Sequence, residues 1–255
     1  MPLNESLVSC ASIYSEEQLQ MLAHGTVPKH IAIIPDGNRR WARKNGFTVM
    51  HGYQQGADNL IDIVKASKEL GIQVVTFYGF STENWDRDFV EVKALLWLIE
   101  SYLIEQRPVM IENGVKFETI GDLSRFSKSF QGTIQETKRV TEKCNGVVMV
   151  LGLNYGARNE ICRAVKNMLQ DLEKKILTQE VVTETVLSHY LDTMRWPDPE
   201  LVVRTGGENR LSNFLLWQAS YAELHIADIF WPEFTPQHLL EVIVDFQRRE
   251  RRLGR

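Results

Sequence analysis

His30-Ile31-Ala32-Ile33-Ile34-Pro35-Asp36-Gly37-Asn38-Arg39-Arg40-Trp41 is the stretch that decides how the rest of the chain is read. A short, continuous apolar run is the pattern of a strand buried on both faces. Here it stops at a proline, and a carboxylate, Gly-Asn, two arginines and a tryptophan follow at once. Open parallel sheets bind ligands beyond the carboxyl ends of their strands. Asp36 is therefore expected at the mouth of a cleft, with backbone amides and cations beside it, where a metal and a phosphate can be held together. A plain Asp-Gly turn would reverse the chain without needing Arg39, Arg40 or Trp41.

Working outward, apolar runs at Val74–Phe80, Val147–Leu153, Leu201–Val203 and Leu224–Phe230 read as further strands, and Val115–Ile120 alternates as a strand near an edge would. Between them lie helical patterns: Glu16–Ala23, Ala57–Leu70 ended by Gly71, Val90–Asn113 interrupted by Pro108, Ser124–Cys144, Arg158–Lys175, Thr183–Leu191 and Pro236–Arg249. Gly46–Gly56, rich in glycine and polar residues, reads as a loop over the site. The alternation predicts one α/β domain, a mostly parallel six-stranded sheet flanked by helices. Val90–Asn113 carries large apolar residues on more than one side. A helix packed on a sheet needs one apolar stripe, so it is a candidate wall for an apolar tunnel as well as a thick core helix.

The 255 residues are 44% hydrophobic and 24% charged, with a net charge of −4. That balance suits a folded globular chain and argues against a general nucleic-acid binder. Any anion site must then be a local cluster of arginines. Cys10, Cys144 and Cys162 have no zinc or C-x-x-C spacing and read as reduced thiols of a cytoplasmic protein. No signal peptide is expected, and no apolar run reaches the ~20 residues that cross a bilayer. Phosphate-loop, G-x-G-x-x-G, G-x-S-x-G, H-E-x-x-H and D-D-x-x-D patterns are absent.

Two other strand ends are as polar as the first: Ser81-Thr82-Glu83-Asn84-Trp85-Asp86-Arg87, and Arg204-Thr205-Gly206-Gly207 through Arg210, Leu211 and Ser212, followed by Glu223. A parallel sheet brings such ends to one edge. Arg204 and Arg210 have planar forks suited to phosphate oxygens, Gly206 and Gly207 allow close backbone approach, and Ser212 adds a hydroxyl. Asp36 and Glu223 are the oxygen ligands that Mg²⁺ takes; taken singly, each acid is equally a cap or an ion-pair partner.

These segments resemble the cis-prenyltransferases, the family of undecaprenyl diphosphate synthase. The first signature is His30 to Ala42; the second is Phe80-Ser81-Thr82-Glu83-Asn84-Trp85 with Arg87. The third is Arg204-Thr205-Gly206-Gly207-Glu208 through Arg210, Ser212-Asn213-Phe214-Leu215-Leu216-Trp217-Gln218 and Tyr221-Ala222-Glu223-Leu224. The likeness covers nearly everything after Pro28, so residues 1–27 are read as an arm with a short helix and 28–255 as the catalytic domain. It implies a Mg²⁺-dependent transferase that condenses isopentenyl diphosphate with cis geometry onto an allylic diphosphate such as farnesyl diphosphate. The product would be a long polyprenyl diphosphate, such as the undecaprenyl lipid carrier of cell-wall synthesis, or a shorter chain.

In that likeness Asp36 and Glu223 hold the metal, and Gly37, Asn38, Arg39 and Arg40 grip the allylic diphosphate. Arg204, Arg210 and Ser212, with Leu211 beside them, bind isopentenyl diphosphate. Asn84 resembles the family's proton-handling residue, with Ser81, Thr82, Glu83 and Arg87 around it, and Trp41, Phe80 and Trp85 are aromatic walls. Members of this type are homodimers in which an Arg-x-Gly tail, here Arg252-Leu253-Gly254, reaches the partner's site, and the lipid product implies peripheral membrane contact. The family usually has an arginine at the position of Val49 and a histidine at that of Tyr53. Arg39, with His51, is the expected replacement for that lost charge. Asn209 stands where some members have histidine. Two readings from other classes remain beside the enzyme: a non-catalytic subunit of a two-subunit enzyme, and an anion or nucleic-acid module using the basic tail. The first would lack the signature acid and Asn84, and the second is opposed by the acidic net charge.

Overall fold

A computed structural model describes residues 12–22, 25–178 and 182–249. The strands are β1 (His30–Ile34), β2 (Val74–Ser81), β3 (Val115–Ile120), β4 (Val147–Tyr155), β5 (Leu201–Arg204) and β6 (Glu223–Ile226). They form one sheet of six in the order β3-β4-β2-β1-β5-β6, and every pair is parallel. The helices are α1 (Glu16–Gln20), α2 (Asn38–Lys44), α3 (Val49–Glu69), α4 (Phe89–Glu105), α5 (Arg107–Glu112), α6 (Lys128–Thr141), α7 (Ala157–Glu173), α8 (Glu184–Tyr190) and α9 (Pro236–Arg248). All five residues of β1 are buried, as its unbroken apolar run requires.

Alternate strand residues sort into two cores. Ile31, Ile33, Val75, Phe77, Met149, Leu151 and Val203 face a large cluster completed by residues of α3, α4, α6 and α9. Ala32, Ile34, Val74, Val150 and Val202 face a smaller one closed by Tyr155, Ala157, Phe214 and Leu215. Part of the expected arm belongs to the first core: Tyr14 is 4% exposed, and its hydroxyl donates to the Pro236 carbonyl at 2.8 Å.

Three boundaries differ from the sequence reading. Gly46–Gly56 is not a loop throughout: Thr48 caps α3, its hydroxyl accepting from the His51 amide, and the helix runs unbroken through both glycines. Gly52 and Gly56 lie four residues apart on the face toward α2, where a Cβ would strike the Asn38 carbonyl and the Asn38 side chain respectively. They are small so that two helices can touch. The expected single helix Val90–Asn113 is α4 and α5, divided at Gln106, with Pro108 in the first turn of the second, where its missing amide costs nothing. The last strand stops at Ile226 because the next carbonyls, of Ala227 and Ile229, accept from the amides of Gly207 and Gly206 instead.

His30, fully buried at the start of β1, makes the sheet sensitive to acid. Its Nδ1–H donates to the Pro197 carbonyl at 2.6 Å, so Nε2 accepts from the Thr76 hydroxyl at 2.8 Å. Burial, only partly opposed by the Pro197 bond and the charge of Glu200, lowers its pKa to about 4. A folded-state pKa below the unfolded one means that stability is intact above pH 6.5 and is lost as pH falls from there toward 4. Between pH 7.5 and 5 this one group is expected to remove about 2 kcal/mol. Urea unfolding of wild type and His30→Asn at both pH values checks it: the wild type should lose about that much more than the variant.

Candidate active site

After β1 the chain builds β2, β3 and β4 on one side, and it then returns to add β5 and β6 on the other. The loops leaving β1 and β5 therefore part in opposite directions, which opens a crevice at their carboxyl ends. Asp36 and Arg204 stand there. Gly37, with φ of 105°, begins α2, and the tight turn folds its amide onto Asp36 Oδ1 at 2.6 Å. Arg204 Nη2 donates to Asp36 Oδ2 at 2.8 Å, and Arg40 Nη2 lies 3.3 Å from Oδ1. Burial pushes the Asp36 carboxyl up, but the Arg204 hydrogen bond and charge, the Arg40 charge and the Gly37 amide together hold it below the usual carboxylate range. It is an anion across the neutral range, gripped by two cations.

The Arg204 side chain is only 5% exposed. Its Nη1 donates to Ser212 Oγ at 2.8 Å and to the Arg210 carbonyl, and its Nε is buried without a partner among the described residues. Arg40 Nη1 donates to the Gly206 carbonyl at 2.7 Å and to Glu208 at 3.3 Å. A Cβ on Gly206 would lie 2.5 Å from Arg40 Nη2. That glycine makes room for the cation, while its own amide is spent on Ile229. Asn38 Nδ2 donates to the Pro35 carbonyl at 3.2 Å, and its Oδ1 is buried and unpartnered among the described residues. Asn84 Oδ1 accepts from the Ser81 amide at 3.1 Å, and Glu83 accepts from Asn213 Nδ2 at 2.8 Å.

These groups rim a cavity of about 610 Å³. Asp36, Asn38, Ser81, Glu83, Asn84, Arg87, Arg204 and Ser212 form its polar mouth, and it runs inward between the sheet and helices α3 and α4. Leu95, Leu98, Ile99 and Tyr102 of α4, Leu60 of α3, Phe77 and Leu151 of the sheet and Trp231 wall the interior. The α4 wall accounts for the apolar excess in that segment.

Several expected positions lie elsewhere. Glu223 does not meet Asp36 within the chain: β5 and β6 are parallel, with Leu201 beside Glu223 and Arg204 beside Ile226, so Glu223 is at the opposite end of the strand. Three residues of strand separate it from the level of Arg204, roughly 10 Å, and its carboxylate pairs with Arg249 at 3.3 Å. Trp41 is not a cavity wall; it packs with Phe47 and His51 and donates to Glu233 at 3.1 Å. His51, in that outer group, does not line the cavity either. Phe80 and Trp85 pack on each other and on Phe126, and Trp85 lines a second hollow of about 590 Å³ beyond α4.

Tyr53 lines the cavity, but its hydroxyl is committed to Glu91 and Arg87. Arg39 lies 3.7 Å from Glu91. Arg210 is exposed and paired with Glu208, Leu211 packs on the smaller core, and Asn209 is exposed. Thr82 sits beside Gly156, whose Cβ it would obstruct. Val147 and Met149 of β4 are buried in the larger core and do not line the cavity. The Arg252-Leu253-Gly254 tail lies outside the described residues. Reading by strand ends missed Tyr78, Asn213, Glu91 and Trp231. Tyr78 alternates in phase with Val74 and Thr76, and the Trp231-Pro232 pair gives only a generic turn signal.

The donor set suits magnesium brought in with a diphosphate. Mg²⁺ is ordinarily held by one or two carboxylates, with substrate phosphates and waters completing its shell. Asp36 supplies one ionised carboxylate, and Arg40 and Arg204 flank the space phosphates would take. No group of three or more His, Cys, Asp or Glu gathers among the described residues to form an all-protein cage.

The family model described as putative undecaprenyl diphosphate synthase matches residues 34–254. An isoprenyl transferase of Clostridium tetani is 44% identical over 228 residues, 89% of each chain. One of Chlamydia pneumoniae is 43% identical over 233 residues, 90% of this chain and 93% of the other. Among solved structures, lavandulyl diphosphate synthase from Lavandula x intermedia, in complex with dimethylallyl diphosphate, superposes with a TM-score of 0.87. It is 31% identical, covering 90% of this chain and 99% of the other. A probable undecaprenyl diphosphate synthase of Campylobacter jejuni gives a TM-score of 0.75 at 33% identity, covering 90% of this chain and 100% of the other. By that match over residues 34–254 and by these relatives, the chain belongs to the undecaprenyl diphosphate synthase family of isoprenyl transferases.

Proposed function

We propose that the protein elongates farnesyl diphosphate with isopentenyl diphosphate, in the presence of Mg²⁺, to a long-chain cis-polyprenyl diphosphate of the undecaprenyl class. The observation that carries this is the ionised Asp36, clasped by Arg40 and Arg204 at the polar mouth of an apolar cavity. Asp36 would hold the metal, which when bound would supply a positive charge that favours diphosphate departure. The amides and side chains at the start of α2, with Arg40, meet the negative charge growing on that leaving group. Arg204 and Ser212, already bonded to each other, receive isopentenyl diphosphate, with Arg210 and Leu211 beside them. Asn84, its carbonyl fixed by the Ser81 amide, would orient the added unit so that the proton it loses passes to the released diphosphate. The apolar walls beyond Asn84 keep water from the allylic carbon and accept the growing chain. Glu223 is left out of the metal set of its own chain.

A homodimer suits the edge strand β6 and the turn before it, where Leu224 is 42% and Tyr221 73% exposed. Among the described residues no helix is long and apolar enough to cross a membrane, so membrane contact would be peripheral, through the lipid product. Asp36 and Asn84 both stand at the cavity mouth, which speaks against a non-catalytic subunit.

The test is incubation with labelled isopentenyl diphosphate, farnesyl diphosphate and Mg²⁺, followed by measurement of product length. No elongation, or elongation that survives a chelator, would overturn the proposal. Ile99→Trp, which puts an indole into the cavity wall, is expected to shift products to shorter chains while the first condensation proceeds. Overpacking there should cost about 1–3 kcal/mol of stability. An unchanged product ladder would show that the chain grows elsewhere.

A further inference from the structure

Four residues from four segments meet beside the cavity, which two of them, Tyr53 and Arg87, line. Arg39 comes from α2, Tyr53 from α3, Arg87 from the turn before α4, and Glu91 from the first turn of α4. Glu91 Oε1 is their common point. It accepts from the Tyr53 hydroxyl at 2.7 Å and lies 3.4 Å from Arg87 Nη1 and 3.7 Å from Arg39 Nη1. Arg87 Nη1 also donates to the Tyr53 oxygen at 2.8 Å. The phenol thus both accepts and donates within the protein. Tyr53 itself is only 9% exposed, so it has no hydroxyl proton left for a ligand. Both cations are engaged through one Nη1 each. The other nitrogens of the two guanidinium groups make no hydrogen bond among the described residues, and two positive charges share one negative charge.

We propose that Tyr53 and Glu91 are positioning residues, a seat that turns Arg87 and Arg39 together toward the allylic diphosphate. This rests on the function proposed above and names how this chain builds the allylic clamp with valine at position 49 and tyrosine at position 53. The seat is matched to its task. A carboxylate alone would draw both arginines away from the mouth. The phenol fixes one edge of Arg87 by accepting a charge-assisted bond and takes up part of Glu91's accepting capacity. Burial first, and then the bond to Glu91, raise the Tyr53 phenol to about 12, so it stays protonated as a donor across the neutral range. The same contacts tie α2 and α3 to the start of α4, the helix that walls the cavity.

The test is equilibrium binding by the full chain with Mg²⁺, farnesyl diphosphate and isopentenyl diphosphate being titrated separately. Tyr53→Phe keeps the ring and removes both bonds. It is expected to weaken farnesyl diphosphate about five- to tenfold, the scale of one lost hydrogen bond to a charged group, and to leave isopentenyl diphosphate within about twofold. Glu91→Gln should weaken farnesyl diphosphate in the same selective way. Tyr53→Phe should add little in an Arg87→Ala background, and Glu91→Gln should add less there than in the wild type, keeping only the part that acts through Arg39. Wild-type affinity for farnesyl diphosphate in Tyr53→Phe, equal weakening of both substrates, tighter binding by Glu91→Gln, or full additivity with Arg87→Ala would each overturn the seat. Absence of elongation by the wild type would instead overturn the proposed function, which binding to the seat does not measure.

Discussion

Asp36→Ala is expected to lower elongation turnover by at least about a thousandfold, on the scale of losing a principal charge-organising group in a closed site. The thermal midpoint should stay near that of the wild type. The carboxylate is the one acid set between Arg40 and Arg204. Without it two guanidinium groups face each other across the mouth, and no carboxylate is left between them to hold a metal against the diphosphate. The fold should survive, because Arg204 keeps its bonds to Ser212 and the Arg210 carbonyl, and the backbone of position 36 keeps those to Trp231 and Thr205. Steady-state kinetics beside circular dichroism checks both halves. Near-normal elongation by a folded variant would sink the assignment.

Arg204→Ala should be almost as damaging, and in a way that leaves a pH signature. KM for isopentenyl diphosphate is expected to rise by about a hundredfold, the cost of removing a buried, bidentate-capable cation from a diphosphate site. The acid limb of kcat should also move to higher pH. In the wild type, burial raises the Asp36 carboxyl, but the Arg204 bond and charge outweigh it and hold the group low. Removing Arg204 takes away the two largest effects that oppose burial and leaves only the Arg40 charge and the Gly37 amide, so the carboxyl rises and the working anion is lost sooner on acidification. Profiles of kcat between pH 5 and 9 for both proteins decide it. An acid limb that stays in place would show that Asp36 is not the group titrating there.

Strand identity was legible in this sequence because buried parallel strands leave unbroken apolar runs, and β1 begins and ends where that pattern does. Asp36, Arg204 and Asn84 were legible as a group because each lies at or just past the carboxyl end of a strand. Glu223 was misplaced by the same rule, since it begins a strand rather than ending one. Only the parallel pairing with β5 distinguishes the two. Gly52 and Gly56 looked like loop residues because sequence composition does not separate a glycine that frees the backbone from one that admits a neighbouring helix. Tyr53 looked like a lost imidazole. Its partner Glu91 lies 38 residues away on a helix whose other residues read as core, and nothing in a periodicity links the two. Arg39, expected to take up the missing charge, lies beside Glu91 and is not among the residues that line the cavity, and His51 faces an aromatic group with Trp41 and Phe47.

The crevice between β1 and β5 also sets a timetable for the ribosome. Ile34 pairs with Arg204, a separation of 204 − 34 = 170 residues. At roughly 5–20 residues per second, on the order of 10–30 s pass between the synthesis of the two partners. Throughout that interval one edge of the most apolar strand in the chain has no sheet neighbour, which is the condition that invites pairing with another nascent chain. Release of Asp36 and its loop into a working geometry and protection of that edge are therefore one event, completed when β5 arrives. A chain stopped short of Arg204 is expected to be both inactive and prone to aggregate, for the same reason.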